Sequence, residues 1–529
     1  MVKSKSATLR ALVLLIGSVL WSNTAGATPV ILTVGGGPTP LSNQLSLEKN
    51  VHFFHQVLID LGAGGWKQQL LFADGGVGDH TVQCQADDSE DLTFLACLAA
   101  VMNNSDVTPI NQVYRKTDLL DISGPATSDG LTKWFSQTGD ALPAGSELLF
   151  YYTGHGGGDA RMMNPPRNTT LSLWDKPSMT VHQFAGLLDK MDPSVSVMLV
   201  MVQCHSGGFA NVIYTGGEPK NGLAKQLRFG FFSTTAPRMA AGCTSDIKGD
   251  DYREFSTAFF AALSGKTRQG QAVHKPSYSN DGKTTYMDAF TYVLLTSDTI
   301  DLPMTTSDLL LRDFSHFASS RRRLATSNPT TGPIKSATIP GEQNLLPANA
   351  TYAEIKPLCA PAQRAAIEGL GKVLGLDPVD PVGGAHQLER EIERDQRQMR
   401  IQIQTLQQKC AQAREKLRHL LMMKYPELTD PWLPAGEALR SPANLPRLRA
   451  DVTAMPEYTD FFQAARTLGE TEQKQQGLER KWIKAQRLID RAETVILQGN
   501  LPLVAPQEIQ DRFKLLMRHE QGTLTSEHL

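Results

Sequence analysis

The sequence predicts an α/β fold, a mostly parallel sheet flanked by helices, followed by an α-helical, coiled-coil-type C-terminal region. Three observations carry that expectation. Short apolar runs alternate with segments of helical spacing through the first half of the chain, the pattern of a parallel sheet covered on both faces. Near residue 318 the composition shifts to Ser, Thr, Pro and Asn, as in a linker. Beyond it, apolar residues recur at alternating spacings of four and three, the seam of a coiled coil.

Taken in order, the expected strands are Val30 to Val34, Gln69 to Phe72, Glu147 to Tyr152, Val195 to Val202 and Arg228 to Phe232. Each is a short apolar run that suits a strand buried on both faces. Helical spacing falls at Leu47 to Leu61, around Leu131 to Phe135, and at Val181 to Met191, Glu254 to Leu263 and Thr285 to Leu295. The segment holding Cys84 and Cys97 reads as a polar, loop-rich insertion. In the C-terminal region one seam runs through Met399, Ile403, Leu406, Cys410, Ala413, Leu417 and Leu420. A second runs through Leu478, Trp482, Ala485, Ile489, Ala492 and Ile496. The two are expected to fold back as an antiparallel hairpin. The organisation expected is a leader at 1–27, an α/β domain at 28–317, a linker at 318–350 and a helical domain at 351–529. Arg321-Arg322-Arg323 in the linker reads as a solvated charge cluster.

The 529 residues exceed one ordinary domain, and a hydrophobic content of 41% fits a globular chain with a sizeable core. A net charge of -2 provides no field for nucleic acid or an anionic membrane. At the N-terminus Lys3, Lys5 and Arg10 precede the apolar run Ala11 to Leu20, and Ala25-Gly26-Ala27 supplies small residues before Thr28. That is the pattern of an export leader. The expected location is periplasmic or extracellular, with no transmembrane segment in the mature chain.

Six cysteines in such a compartment invite pairing. Cys84 with Cys97 is the most plausible local bridge, with two unpaired thiols as the open alternative. Cys410 lies on a seam and reads as a small buried hydrophobe.

Two strand ends carry chemistry. Leu148-Leu149-Phe150-Tyr151-Tyr152-Thr153-Gly154-His155-Gly156-Gly157 and Val197-Met198-Leu199-Val200-Met201-Val202-Gln203-Cys204-His205-Ser206-Gly207 both run from an apolar strand into a glycine-flanked reactive residue. Active sites of parallel sheets form at the carboxyl ends of strands. A cysteine attacks a carbonyl as its thiolate, and a nearby imidazole promotes that form or protonates the leaving amine. The backbone amides of Gly156 and Cys204 are candidates to hold the oxyanion. His205 is the less suitable partner, because consecutive residues leaving a strand point apart. Cys204, His205 and His155 lack the paired spacing of a structural zinc site, so no metal is expected. Ser277 to Asp288 has the glycine of a calcium loop at Gly282 but serines for its first carboxylates. It reads better as a turn leading into a helix.

The paired motifs resemble those of the caspase/legumain clan of cysteine peptidases, in which a His-Gly strand end precedes a Cys-containing one. His155 precedes Cys204 by about 50 residues, as in caspases, while the Cys-x-Ser-Gly form at Cys204 is closer to legumain. The resemblance covers Ala27 to Asp313 and implies a caspase-like sheet. Phe232-Ser233-Thr234-Thr235-Ala236-Pro237, with Cys243-Thr244-Ser245-Asp246, is similar to the legumain segment that lines the substrate pocket. By that likeness Ser233 and Asp246 line the pocket here. The loop from Gly35 to Gln44 lacks the arginine the family commonly places there.

The expected function is that of an exported cysteine endopeptidase. It would hydrolyse peptide or protein substrates through a Cys204 thioester, with His155 as acid and base and no cofactor. A transpeptidase or ligase using the same intermediate is one alternative. A non-catalytic scaffold assembled through the C-terminal coiled coil is the other. The helices beyond residue 350 read as a module for a protein partner or self-association.

Overall fold

The computed structural model describes residues 29–85, 90–105, 112–161, 166–242, 253–318 and 344–524. The expected leader, Cys243, Asp246 and the arginine run lie outside the described residues, as does most of the expected linker.

The first part of the chain forms a nine-stranded, mostly parallel sheet. Its strands are β1 (Val30–Gly36) and β2 (Lys67–Phe72), then β5 (Ile122–Gly124) and β6 (Glu147–Gly157), then β7 (Thr170–Ser172) and β8 (Met179–Thr180), and last β9 (Ser196–Met201), β10 (Arg228–Phe232) and β11 (Met304–Thr305). A separate antiparallel pair joins β3 (Val82–Gln85) to β4 (Gln112–Arg115). Across the main sheet the order is β11-β10-β9-β6-β1-β2-β5, with β7 and β8 attached beyond β6. The central strands β1, β9 and β10 are buried on both faces, which is why they read as unbroken apolar runs.

Helices α1 (Leu45–Asp60), α2 (Glu90–Met102), α3 (Ser128–Trp134), α4 (Val181–Leu188), α5 (Phe255–Ser264), α6 (Tyr286–Thr296) and α7 (Thr306–Phe314) accompany the sheet. On one face Tyr151 packs against Phe54 and Phe260, with ring centroids 4.7 and 5.1 Å away. On the other, Phe150 and Leu199 pack with Phe184 and Phe209. The segment expected as a loop-rich insertion is instead β3 and α2. Residues 94–102 of α2 alternate few polar groups, and most are buried against the C-terminal helices.

The C-terminal part comprises α8 (Tyr352–Ile355), α9 (Pro361–Leu374), α10 (Pro381–Lys424), α11 (Glu437–Arg440), α12 (Leu445–Thr453), α13 (Pro456–Val504) and α14 (Gln507–Glu520). The long helices α10 and α13 run antiparallel: Glu389 meets Gln486, and Arg414 faces Phe461. Ile403, Cys410 and Leu417 of the first expected seam are buried, as are Ala485, Ile489, Ala492 and Ile496 of the second.

The hydrophobic core does not divide near residue 350. Leu497, Leu501, Ile509, Phe513 and Leu516 belong to the same buried cluster as Tyr151 and Phe231 of the sheet. Polar clamps reinforce this. Arg487 is 1% exposed and donates to the carbonyls of Leu294, Ser297, Thr299 and Asp301. Arg491 pairs with the buried Asp308 at 2.8 Å. At the far end of the hairpin, Leu417, Leu421, Leu448 and Val452 pack on Phe94, Leu98 and Val101 of α2. Among the described residues no helix is long and apolar enough to cross a membrane.

The bridge expected between Cys84 and Cys97 is absent, and both are free thiols. Cys84 sits in the β3–β4 ladder opposite Val113, beside Arg115 and Glu48. Cys97 lies on α2 facing Tyr458 of α13. Asp288 caps α6, accepting from Thr285 N and Oγ1 and from Tyr278 N. The Ser277–Asp288 segment is thus a turn leading into a helix.

Candidate active site

β6 and β9 are parallel neighbours, with Tyr151 opposite Val200 and Tyr152 opposite Met201. His155 and Cys204 each lie three positions beyond the end of this ladder, at the carboxyl end of the sheet, where β6 continues through His155 to Gly157 in pairing with β7. The two chains remain in contact beyond the ladder. A Cβ on Gly156 would overlap the carbonyl oxygen of Cys204 and the side chain of Gln203, so only glycine fits there. The backbones of the two expected oxyanion donors therefore lie side by side.

His155 is held from a third segment. Its Nε2 lies 2.8 Å from the carbonyl oxygen of Ser42 and 3.0 Å from Oε1 of Gln44. Both partners accept, so Nε2 carries the proton and Nδ1 is the basic nitrogen in the neutral ring. Burial pushes the imidazole below its ordinary range, and the Ser42 carbonyl partly offsets that. The loop presenting Ser42 is itself fixed. Buried Asn43 accepts from Gly37 N and donates to the Thr81 carbonyl at 2.8 Å.

Cys204 is largely buried, and its Sγ accepts a hydrogen bond from Ala240 N at 3.3 Å. The same sulfur donates to the Ala240 carbonyl at 3.9 Å. His205 adopts a left-handed conformation, φ 61°. Its Nδ1 donates to the Ala236 carbonyl at 2.8 Å and its amide donates to that of Arg238. It pins the 236–240 loop, and with it Ala240. Among the described residues no three metal-binding side chains converge.

Ser233, expected to line the substrate pocket, is 0% exposed. It follows β10 directly and faces inward. Its Oγ reaches Ser206 Oγ at 3.1 Å and donates to the Gln203 carbonyl, so it braces the cysteine turn from beneath. Sequence reasoning missed Ser42, Gln44 and Ala240. Two act through backbone atoms, and Gln44 lies 111 residues from His155, so no local motif joins them. It also missed a cation joined to β6. Arg268 approaches Asn50 at 3.5 Å, and Asn50 donates to Thr153, two residues before His155.

The C-terminal helices reach this loop. Arg238 lies 5.4 Å from the Trp482 ring and 3.9 Å from Glu479. Ala241 N donates to buried Asp301, whose own carbonyl accepts from Arg487. A short chain of contacts thus joins α13 to the Ala240 amide and the Cys204 sulfur.

No family model and no curated protein matches the chain. Among solved structures, the chain is similar to protein GSU0716 from Geobacter sulfurreducens. The likeness has 14% identity and a TM-score of 0.30, and covers 53% of this chain and 92% of that one.

Proposed function

We propose that the chain is an exported cysteine endopeptidase of the caspase/legumain type, with Cys204 as nucleophile and His155 as acid and base. The observation that carries the reading is the emergence of both residues from neighbouring parallel strands at the carboxyl end of the sheet, with His155 held by two acceptors on one nitrogen. That leaves the other nitrogen free to exchange a proton with sulfur or substrate.

The chemistry runs in two halves. The Cys204 thiolate attacks the scissile carbonyl carbon, and the carbonyl π electrons move to oxygen, where the amides of Gly156 and Cys204 stabilise the charge. Collapse breaks the C–N bond, and His155 delivers to the leaving amine, from Nδ1, the proton it took from the Cys204 thiol. A thioester remains. Water then attacks it, giving its proton to His155, and collapse releases the carboxylic acid and the thiolate. No cofactor enters this scheme. A transpeptidase or ligase would differ only in admitting an amine in place of water at the second half. A scaffold that keeps the fold without turnover would leave the thiol unreactive.

A peptidyl thiol-reactive probe on the full chain separates these readings. The expected result is labelling of wild type and of Cys243→Ala, lost in Cys204→Ala. Unlabelled wild type under reducing conditions would instead favour the scaffold. Incubating labelled peptides with and without an amine nucleophile distinguishes hydrolysis from ligation. The full chain is the proper reagent, because residues 497–516 complete the sheet core. The antiparallel pairing of α10 with α13 supports a partner-binding role for the exposed length of the hairpin.

A further inference from the structure

We infer that the junction between α2 and the far end of the α10–α13 hairpin is a binding site for a single-chain amphiphile with a carboxylate head, such as a medium-chain fatty acid. A cavity of about 640 Å³ opens there, within the size range of small-ligand sites. Its apolar walls include Phe94 and Leu98 from α2, Leu417 from α10, and Tyr458 and Phe462 from α13, while Glu90, Arg414 and Arg449 add charged groups to the lining. Phe462 is 56% exposed, so a large apolar side chain stands open to water at this place.

The polar groups of the lining select the head. Arg449 stacks 4.5 Å from the Phe94 ring and is already paired with Asp91 at 2.7 Å. Arg414 differs. Its guanidinium lies 6.0 Å from the Phe461 ring, and its one hydrogen bond, to the Ser105 carbonyl, is long at 3.5 Å. Its Nε is buried without a partner, and no carboxylate pairs with it among the described residues. A buried donor without a partner is costly. An anionic oxygen placed there would satisfy it, while the alkyl chain covers the aromatic wall. A cation without a carboxylate partner among the described residues, at the edge of an apolar cavity, fits one negative charge on an apolar body.

Cys97 lines the same cavity and supplies the readout. The full chain is treated with limiting N-ethylmaleimide, and modification of Cys97 and Cys84 is followed by peptide mass mapping. Submicellar dodecanoate is expected to slow Cys97 roughly tenfold and leave Cys84 unchanged. Dodecyltrimethylammonium should protect far less. Arg414→Gln should weaken protection by dodecanoate about tenfold while leaving that by dodecanol unaltered. Should Arg414→Gln fail to fold, Phe462→Ser, at an exposed position, is expected to weaken all three probes. An unaltered Cys97 rate with dodecanoate would overturn the assignment. So would equal protection by the cationic probe, or protection by anionic vesicles but not by the monomeric acid.

Discussion

Replacing Gln44 with leucine tests how His155 is held. In the native site the Nε2 proton is shared between the Ser42 carbonyl at 2.8 Å and Gln44 Oε1 at 3.0 Å. Leucine is close in size, and position 44 is buried, so Gln44→Leu deletes one acceptor with little other change. A typical hydrogen bond contributes about 0.5–1.5 kcal/mol, more when one partner is charged. The acceptor counts most when the ring is an imidazolium, since both acceptors face its positive charge. Losing it should slow acylation by roughly three- to thirtyfold. The sign of the pH effect follows. Burial already lowers the His155 pKa, and removing an acceptor destabilises the protonated ring further. The acidic limb of the rate profile should therefore move to lower pH while the plateau falls. The assay is the second-order rate of labelling by a peptidyl thiol probe between about pH 4 and 9, bracketing the ordinary histidine range. An unchanged plateau, or an acidic limb displaced upward, would refute this role for Gln44.

Other perturbations read different parts of the structure. Arg487→Met strands several buried carbonyls and should cost about 3–5 kcal/mol in urea unfolding. A loss under about 1 kcal/mol would mean that the clamp from α13 is not structural. Burial raises Glu520 to about 8, where it accepts from Ser307 N and Oγ. Because the folded state binds this proton more tightly than the unfolded chain, stability should fall as pH rises from the ordinary carboxylate range toward 8. Glu520→Gln should flatten that decline in thermal melts, and an unaltered slope would exclude Glu520 as its source. Gly156→Ala places a methyl against the Cys204 carbonyl, so labelling should drop at least about tenfold while the far-ultraviolet spectrum is retained. Equal labelling would show that the two strand ends are not in contact.

The parts of the fold that sequence reveals are those with a strong apolar period. β1, β6, β9 and β10 are unbroken runs because the sheet buries both faces, and His155 and Cys204 stand where those runs end. The first face of α13 is legible for the same reason. Its second face is not. Arg487, Arg491, Thr494 and Asn500 are buried, yet they are polar, so their burial against the sheet domain leaves no hydrophobic signature. That is why the C-terminal helices read as a separate module although they share its core. Cys84 and Cys97 suggested a bridge by proximity in sequence, but a strand and a helix carry their thiols into different surroundings. Ser233 matched a pocket motif, yet its hydroxyl turns inward to Ser206. The orienting carbonyl of Ser42 has no side-chain signature at all.

The most direct test of the whole proposal is the acylation rate of Cys204 in wild type and in His155→Asn, using one peptidyl probe across the pH range. If sulfur and imidazole work as a pair, the substitution should slow acylation by roughly a hundredfold or more and abolish the acidic limb. Cys204 reacting at the wild-type rate with the same pH profile would contradict the pairing.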